Sequence, residues 1–352
     1  MDDLQTAAQL LPSVSVVVPV YNSASTLAEL TARLDTVLTP LVQSWEIIFV
    51  NDGSRDRSWQ SICGLAEEYP NVRGVDLMRN YGQHNALLTG IRNVRHELVV
   101  TIDDDLQHPP EEIPKMLAKL QEGHDVVYGS PQQEQHGLLR DFASQITKLA
   151  LQSTMGVENA RHESSFRVFR ACVREAFLHY NGPFISLDVL LTWGTNRFDF
   201  VRVRHEARRD GVSNYTFGKL VTHALNMMTG FSTMPLQIAS WVGFAFTLFG
   251  VGVLIYVVGR FVLEGGSVPG FSFLASVIAL FSGAQLFALG IIGEYLARMH
   301  FRSMGRPSSV IRNVVGYARD DESTRDRQEA CMNGAVHHPA YKPLFANPVA
   351  GS

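Results

Sequence analysis

Cysteine is nearly absent from this chain. Of 352 residues, only Cys63, Cys172 and Cys331 are cysteines. They are odd in number, scattered, and form no C-x-x-C pair. That excludes a disulfide framework or a cysteine-ligated zinc site, and it fits a reducing compartment. Excess charge is missing too. A net charge of −4 with 18% charged residues gives no reason to expect nucleic acid as a partner. No G-x-G-x-x-G follows the first apolar run, which disfavours a dinucleotide site. No internal repeat is visible. The amino end reads as lacking a signal peptide, because Met1-Asp2-Asp3 is acidic and the first apolar run is short.

Charge is also missing from two long windows. Residues 236 to 259 carry none, and neither do residues 265 to 293. Each exceeds the roughly 20 residues needed to cross about 30 Å of hydrocarbon. The expectation is two membrane helices, at 236–263 and 271–296. The link Glu264-Gly-Gly-Ser-Val-Pro-Gly270 is too short for a domain, so the pair forms a hairpin with both chain ends on one side. Arg298, Arg302, Arg306 and Arg312 follow the second window, while Arg260 alone stands near the link. The positive-inside bias then puts both termini in the cytoplasm and makes the chain a multi-pass membrane protein. Residues 216–235 have helical periodicity and few charges. They read as a juxtamembrane helix in the interface, with an ordinary domain helix as the alternative. The tail, 297–352, is polar and is expected to be disordered from about 316.

Ahead of the hairpin, strand and helix signals alternate. Val14–Val20, Glu46–Asn51, Val72–Met78 and Glu97–Asp103 are β-rich, with helical patterns near 24–39, 56–68, 83–94 and 110–122. This rhythm predicts an α/β fold with a doubly wound, mostly parallel sheet. The domain is expected over 13–215, after an extension over 1–12. Further helices are expected near 137–155 and 185–194, and strands near Phe166–Phe169 and Phe198–Val203.

The fourth strand runs into three carboxylates, Asp103, Asp104 and Asp105. Asp103 and Asp105 are two apart and share a side in extended geometry. Two hard oxygen ligands at a strand's carboxyl end suit Mg²⁺ or Mn²⁺ holding a diphosphate. A solvated acidic turn is the plain alternative, and the run alone does not decide between them. The first strand ends Val18-Pro19-Val20-Tyr21-Asn22, and the second ends Val50-Asn51-Asp52-Gly53-Ser54. Three such ends on one edge of a parallel sheet make a crevice. In it Asp52 can accept hydrogen bonds from a base or ribose, and Tyr21 can line the base. The alternatives are a turn with a helix cap for Asp52-Gly53-Ser54 and a strand stop for Pro19.

Val-Val-Pro-Val-Tyr-Asn, Asn-Asp-Gly-Ser-Arg-Asp and Asp-Asp-Asp-Leu-Gln-His-Pro-Pro-Glu-Glu-Ile-Pro together resemble the inverting family 2 glycosyltransferases of the GT-A fold. Adding Arg79-Asn80-Tyr81-Gly82-Gln83-His84 and the hairpin ending Gly293-Glu294-Tyr295, the chain is similar to the polyprenyl-phosphate glycosyltransferases over about residues 13 to 315. Membrane-bound polysaccharide synthases of family 2, which use saccharide acceptors, share the early motifs; their other acceptor motifs are absent here.

The resemblance implies a sugar moved from a nucleotide-diphosphate donor, a UDP-sugar, to undecaprenyl phosphate. It implies nucleoside binding by Pro19, Tyr21, Asn22, Asp52 and Asp103, and Mg²⁺ or Mn²⁺ on Asp105 and Asp103. Gln107 would sit beside the donor sugar or phosphate. His205-Glu-Ala-Arg-Arg-Asp-Gly-Val-Ser-Asn-Tyr215 resembles the acceptor loop H-x-x-R-x-x-G-x-S-K/N-Y. It implies that Arg208 clamps phosphate and that Ser213 donates a hydrogen bond, with Asn214 where relatives often carry Lys. Arg167, in Ser164-Ser165-Phe166-Arg167, either binds phosphate or is a structural strand arginine. Several relatives have an aspartate where Ser165 stands, so a dedicated carboxylate base is in doubt. His84 caps a helix or approaches the donor, with a structural role favoured. Relatives form tetramers, so a homo-oligomer is expected.

Overall fold

A computed structural model describes residues 10–131, 164–182, 185–206, 234–264 and 270–316. Among these residues, eight strands form one mixed sheet: β1 (Val14–Val20), β2 (Trp45–Asn51), β3 (Val72–Leu77), β4 (Leu98–Thr101), β5 (Val126–Pro131), β6 (Arg167–Arg170), β7 (Phe198–Val203) and β8 (Ile311–Val315). Their order is β7-β5-β6-β4-β1-β2-β3-β8. The central strands β4, β1, β2 and β3 are parallel. β6 runs antiparallel to both β4 and β5, and β8 runs antiparallel to β3.

β1 reads VSVVVPV and is buried along its whole length, as expected for a central strand covered on both faces. Alternation still sorts its side chains. Val14, Val16, Val18 and Val20 join one core with Leu27, Leu30, Leu34, Ile62, Ile113 and Met116. Val17 joins the other, with Ile48, Val50, Leu87, Ile91 and Leu190. Helices α1 (Leu27–Leu38), α2 (Ser58–Glu68) and α4 (Ile113–Gln121) therefore cover one face. Helices α3 (Gln83–Arg92) and α5 (Leu187–Gly194) cover the other. In α1, Leu27, Leu30, Leu34 and Leu38 are all fully buried at helical spacing. Each contributes about 1.5–3 kcal/mol of burial, and truncating Leu34 to Ala is expected to cost about 2–5 kcal/mol.

The hairpin consists of α6 (Met234–Glu264) and α7 (Phe271–Ser303). Its apolar windows, Leu236–Leu263 and Leu280–Ser303, have mean hydropathies of 2.2 and 1.4, and many of their large side chains, such as Leu254, Ile255, Leu286 and Leu289, are exposed. Phe281 binds the helices together, with ring centroids 5.6 Å from Phe246 and 6.3 Å from Phe249. Gly250 permits that approach, since a Cβ there would lie 2.9 Å from the Phe281 ring.

The fold departs from the sequence reading at four places. β4 stops at Thr101, short of Asp103, because the carboxylates that follow take partners in separate directions. α7 continues past residue 296 to Ser303, its last turn carrying His300 and Arg302 at the favourable end of the helix dipole. The polar tail returns to the sheet as β8 before residue 316. Leu11 is paired to the domain within the expected extension, through backbone bonds to Leu41 and Gln43 of 3.0 Å each. The expected helix near 137–155 lies outside the described residues. So do most of the 216–235 segment and the tail beyond 316.

Candidate active site

The strand order reverses at β1, whose neighbours are β2 on one side and β4 on the other. Loops at the carboxyl ends of such strands part to leave a crevice, the usual place for a ligand in open α/β sheets. Three loops meet there, and each is held by backbone-to-side-chain bonds.

The loop after β1 begins at Tyr21, which is 46% exposed at the rim. Pro19 is buried within the strand below it. Asn22 has φ of 58°, a conformation Asn tolerates better than most residues. Its N–H donates to Ser54 Oγ at 3.0 Å, and its Oδ1 accepts from the Arg55 N–H at 2.8 Å. The loops after β1 and β2 are thus tied edge to edge.

Asp52, after β2, is 3% exposed. Its carboxylate accepts the Tyr81 N–H at 2.7 Å and the Gly82 N–H at 2.8 Å. Burial pushes the carboxyl above its usual range; those two N–H donors and Arg79 oppose the shift. In the described chain Asp52 therefore holds the strand-to-helix turn after β3. Gly53 lets that turn approach, since a Cβ at its φ of 66° would lie 2.6 Å from Arg79 and Asn80 backbone atoms. The Arg79 guanidinium lies 4.5 Å from the Tyr81 ring centroid, a cation–π contact in this turn.

The three aspartates after β4 take different partners. They lie in a turn, where the two-residue alternation of a strand no longer applies. Asp103 accepts from Gln83 Nε2 at 2.7 Å and from Ser165 Oγ at 2.5 Å. Asp104 turns under the first loop, accepting the Tyr21 N–H at 3.1 Å, while its carbonyl accepts from Thr26 Oγ1 at 2.6 Å. Burial, with Asp103 and Asp105 alongside, pushes the Asp104 carboxyl up to about 6. The extra charge of the run thus has a place, as the bolt between the β4 and β1 loops. Asp105 accepts the Gln107 N–H at 3.2 Å. Leu106 takes φ of 60°, rare for a leucine, and is 2% exposed. Its side chain is driven into the core and anchors the turn.

Among the described residues, no three His, Cys, Asp or Glu side chains converge as a ready-made metal cage. Asp103 and Asp105 still fit a cation of the Mg²⁺ or Mn²⁺ type. Such ions take one or two protein carboxylates and complete their shell with substrate phosphate oxygens and water.

Of the two expected roles of Arg167, its described contacts match that of a structural strand arginine. It is 2% exposed and pairs with Asp188 at 3.1 Å, while its Nε donates to the Ser164 carbonyl at 3.0 Å. Tyr128 Oη donates to the same Asp188 at 3.2 Å. A guanidinium this deep needs a buried counter-charge, and Asp188 on α5 supplies it. His84 has a structural contact: its Nδ1 accepts the Leu187 N–H at the start of α5, at 3.4 Å.

Arg208 and Ser213 lie outside the described residues, but the segment leading to them is described. The Glu206 N–H donates to the Gln107 carbonyl at 2.8 Å. His108 stacks obliquely on His205, ring centroids 4.9 Å apart. Arg33 pairs with Glu111 at 2.6 Å and approaches Glu206 to 3.8 Å. Sequence reasoning missed the roles of Gln83, His108 and Arg33, since each acts across elements distant in sequence.

Residues 15–179 match Glycosyl transferase family 2. The chain is 33% identical over 326 residues to the undecaprenyl-phosphate 4-deoxy-4-formamido-L-arabinose transferase of Enterobacter sp. (strain 638), covering 92% of this chain and 100% of that protein. It is 34% identical over 317 residues to the protein of the same name from Klebsiella pneumoniae (strain 342), covering 89% and 97%. Among solved structures, glucosyl-3-phosphoglycerate synthase from Mycobacterium tuberculosis with Mn²⁺, UDP-glucose and phosphoglyceric acid overlaps 62% of this chain and 79% of its own, at a TM-score of 0.47 and 16% identity. With its mixed sheet, its crevice at the strand-order reversal and relatives matched along nearly their whole length, this chain is a GT-A-like glycosyltransferase and belongs to glycosyl transferase family 2.

Proposed function

We propose that this membrane-associated enzyme moves a sugar from a nucleotide-diphosphate donor, a UDP-sugar, onto undecaprenyl phosphate with inversion at the anomeric carbon. The product is a lipid-linked monosaccharide for envelope glycan or lipid modification. The observation that carries this reading is a juxtaposition. The aspartate loop at the crevice is hydrogen-bonded to the start of the 205–215 segment, in a chain with two apolar helices of membrane-spanning length.

In this reading, Tyr21, Asn22, Pro19, Asp52 and Asp103 line the nucleoside side of the crevice. Asp103 and Asp105 hold Mg²⁺ or Mn²⁺, with Gln107 beside the donor phosphates. A divalent cation there neutralises charge on the departing diphosphate. Arg208 and Ser213 bind the acceptor phosphate, for which the Arg fork is well shaped. A phosphate monoester has its second pKa near 6 and is largely dianionic at pH 7. It attacks without a strong base, which suits a hydroxyl at Ser165. The protein's own contribution is then orientation of two anions that would otherwise repel. The catalytic domain and both termini face the cytoplasm of an inner membrane, and the enzyme works as a homo-oligomer, a tetramer.

The test is transfer of label. Membranes containing the protein are mixed with radiolabelled nucleotide sugars, undecaprenyl phosphate and Mg²⁺. A labelled lipid that is lost with EDTA, and with Asp105→Asn, is expected. No labelled lipid across a broad donor panel would sink the reading, and a labelled water-soluble product would move the acceptor to a saccharide.

A further inference from the structure

We propose that His108 is a positioning residue. Its buried ring seats His205 and thereby couples the aspartate loop to the segment that enters residues 207–215. The proposal rests on the reading of that segment as acceptor-binding.

His108 is 7% exposed and immediately follows Gln107. Its ring is wedged between Phe166, at a centroid distance of 5.3 Å, and His205, at 4.9 Å and 59°. Its Nδ1 is buried and, among the described residues, has no hydrogen-bond partner. Among those residues the ring is therefore held by shape on that side. Burial, with His205 and Arg167 nearby, pushes the imidazole down to about 4, so it stays neutral and lies close to both.

Other contacts of the 204–206 segment, to neighbouring helices, lie nearer to solvent. Arg204 pairs with Glu112 at 2.7 Å but is 61% exposed. Arg33 reaches Glu206 only at 3.8 Å. Exposed ion pairs of this kind contribute little. The Glu206 N–H bond to the Gln107 carbonyl is short, at 2.8 Å, and sits beside the ring stack. Removing the ring opens a cavity next to that bond, and the packed contact through which a change at Asp103–Gln107 reaches residue 206 is lost. Coupling of two sites needs a physical link that both can bias, and this stack provides one.

Hydrogen–deuterium exchange on the full chain in lipid nanodiscs tests it, with UDP and MnCl₂ as the probe. In the unmodified protein, UDP with MnCl₂ is expected to protect peptides covering 103–108 and also 204–206. In His108→Ala, exchange at Glu206 without ligand should rise roughly tenfold. Protection on adding UDP should then persist at 103–108 and vanish at 204–206. His108→Phe, which refills the space, should restore both. His205→Ala removes the other ring at a more exposed position. It should uncouple residues 204–206 in the same way even if His108→Ala unfolds. Unchanged Glu206 exchange in either alanine variant, or continued UDP protection of 204–206, overturns the proposal. Absence of UDP protection at 103–108 in the unmodified protein would count against the nucleotide reading instead. The ligand-free exchange would still judge the stack.

Discussion

Ser165 donates its hydroxyl proton to Asp103 at 2.5 Å. The serine stands two residues before β6, and Thr101 Oγ1 fixes its backbone by donating to the Ser165 carbonyl at 2.8 Å. A hydroxyl there stabilises the ionised form of Asp103, whereas a carboxylate would compete with it. A hydrogen bond to a charged group contributes about 1.5–3 kcal/mol. Ser165→Ala is therefore expected to lower kcat/KM for the donor by roughly ten- to a hundredfold. Ser165→Thr should retain most of the activity. Steady-state transfer assays over a donor series check both, and an unchanged Ser165→Ala would remove the serine from the site.

The Arg167–Asp188 pair predicts a loss of stability, with donor affinity left largely intact. Removing one partner of a buried pair leaves an uncompensated charge and costs about 3–5 kcal/mol. Asp188→Ala should lower the thermal midpoint sharply. Arg167→Met combined with Asp188→Leu should recover much of it, because no lone charge remains. If the molecules that stay folded in Arg167→Met bind UDP far more weakly, the arginine has a ligand role that its contacts do not suggest.

His108 gives a pH signature. Its folded-state pKa is lowered to about 4 from the ordinary 6.5. The unfolded chain therefore binds a proton that the folded chain refuses. Stability from this group is fully present above about pH 6.5 and is lost as pH falls toward 4, by about 3 kcal/mol at the limit. Thermal midpoints from pH 7.5 to 4.5 should fall more steeply in the unmodified protein than in His108→Phe. Parallel curves would refute this.

Arg92 holds the post-hairpin segment. Its guanidinium donates to the Leu178 carbonyl at 2.9 Å, to the Tyr180 carbonyl at 2.6 Å and to Ser308 Oγ at 2.9 Å. Thr89 Oγ1 and Ser309 Oγ are hydrogen-bonded at 2.6 Å alongside. Arg92→Ala should free this segment, so that trypsin cleaves after Arg312 several-fold faster, in line with a loss of about 1–3 kcal/mol of local stability. Digestion time courses followed by mass spectrometry check it. Equal rates would mean that β8 pairing alone suffices.

The sequence was most readable where one period dominated. Buried runs such as VSVVVPV announced their strands, the leucine spacing of α1 announced its face, and the uncharged windows announced the hairpin helices. The motifs pointed to the loops that follow β1, β2 and β4, and the strand order sets β2 and β4 on either side of β1. What stayed hidden depends on partners far away along the chain. Nothing near Arg167 points to Asp188, and nothing near Asp104 says that it will hold the Tyr21 N–H. The antiparallel course of β6 was equally unreadable, because strand direction is set by the connection and not by the strand's own residues. β8 was missed for a related reason. IRNVV is short and half polar, and only the open edge of β3 makes it a strand.

That last strand changes what the hairpin is. The two apolar helices are bracketed by β7 before them and β8 after them, both in the same sheet. They form an excursion from the middle of one folded unit, not an anchor hung on its end. A fragment cut before residue 234 would keep every crevice loop described here yet lose the strand that closes the β3 edge. Such an edge, bare and apolar, invites pairing with other chains. A soluble version of this enzyme would therefore need residues 307–316 rejoined to it across a short linker.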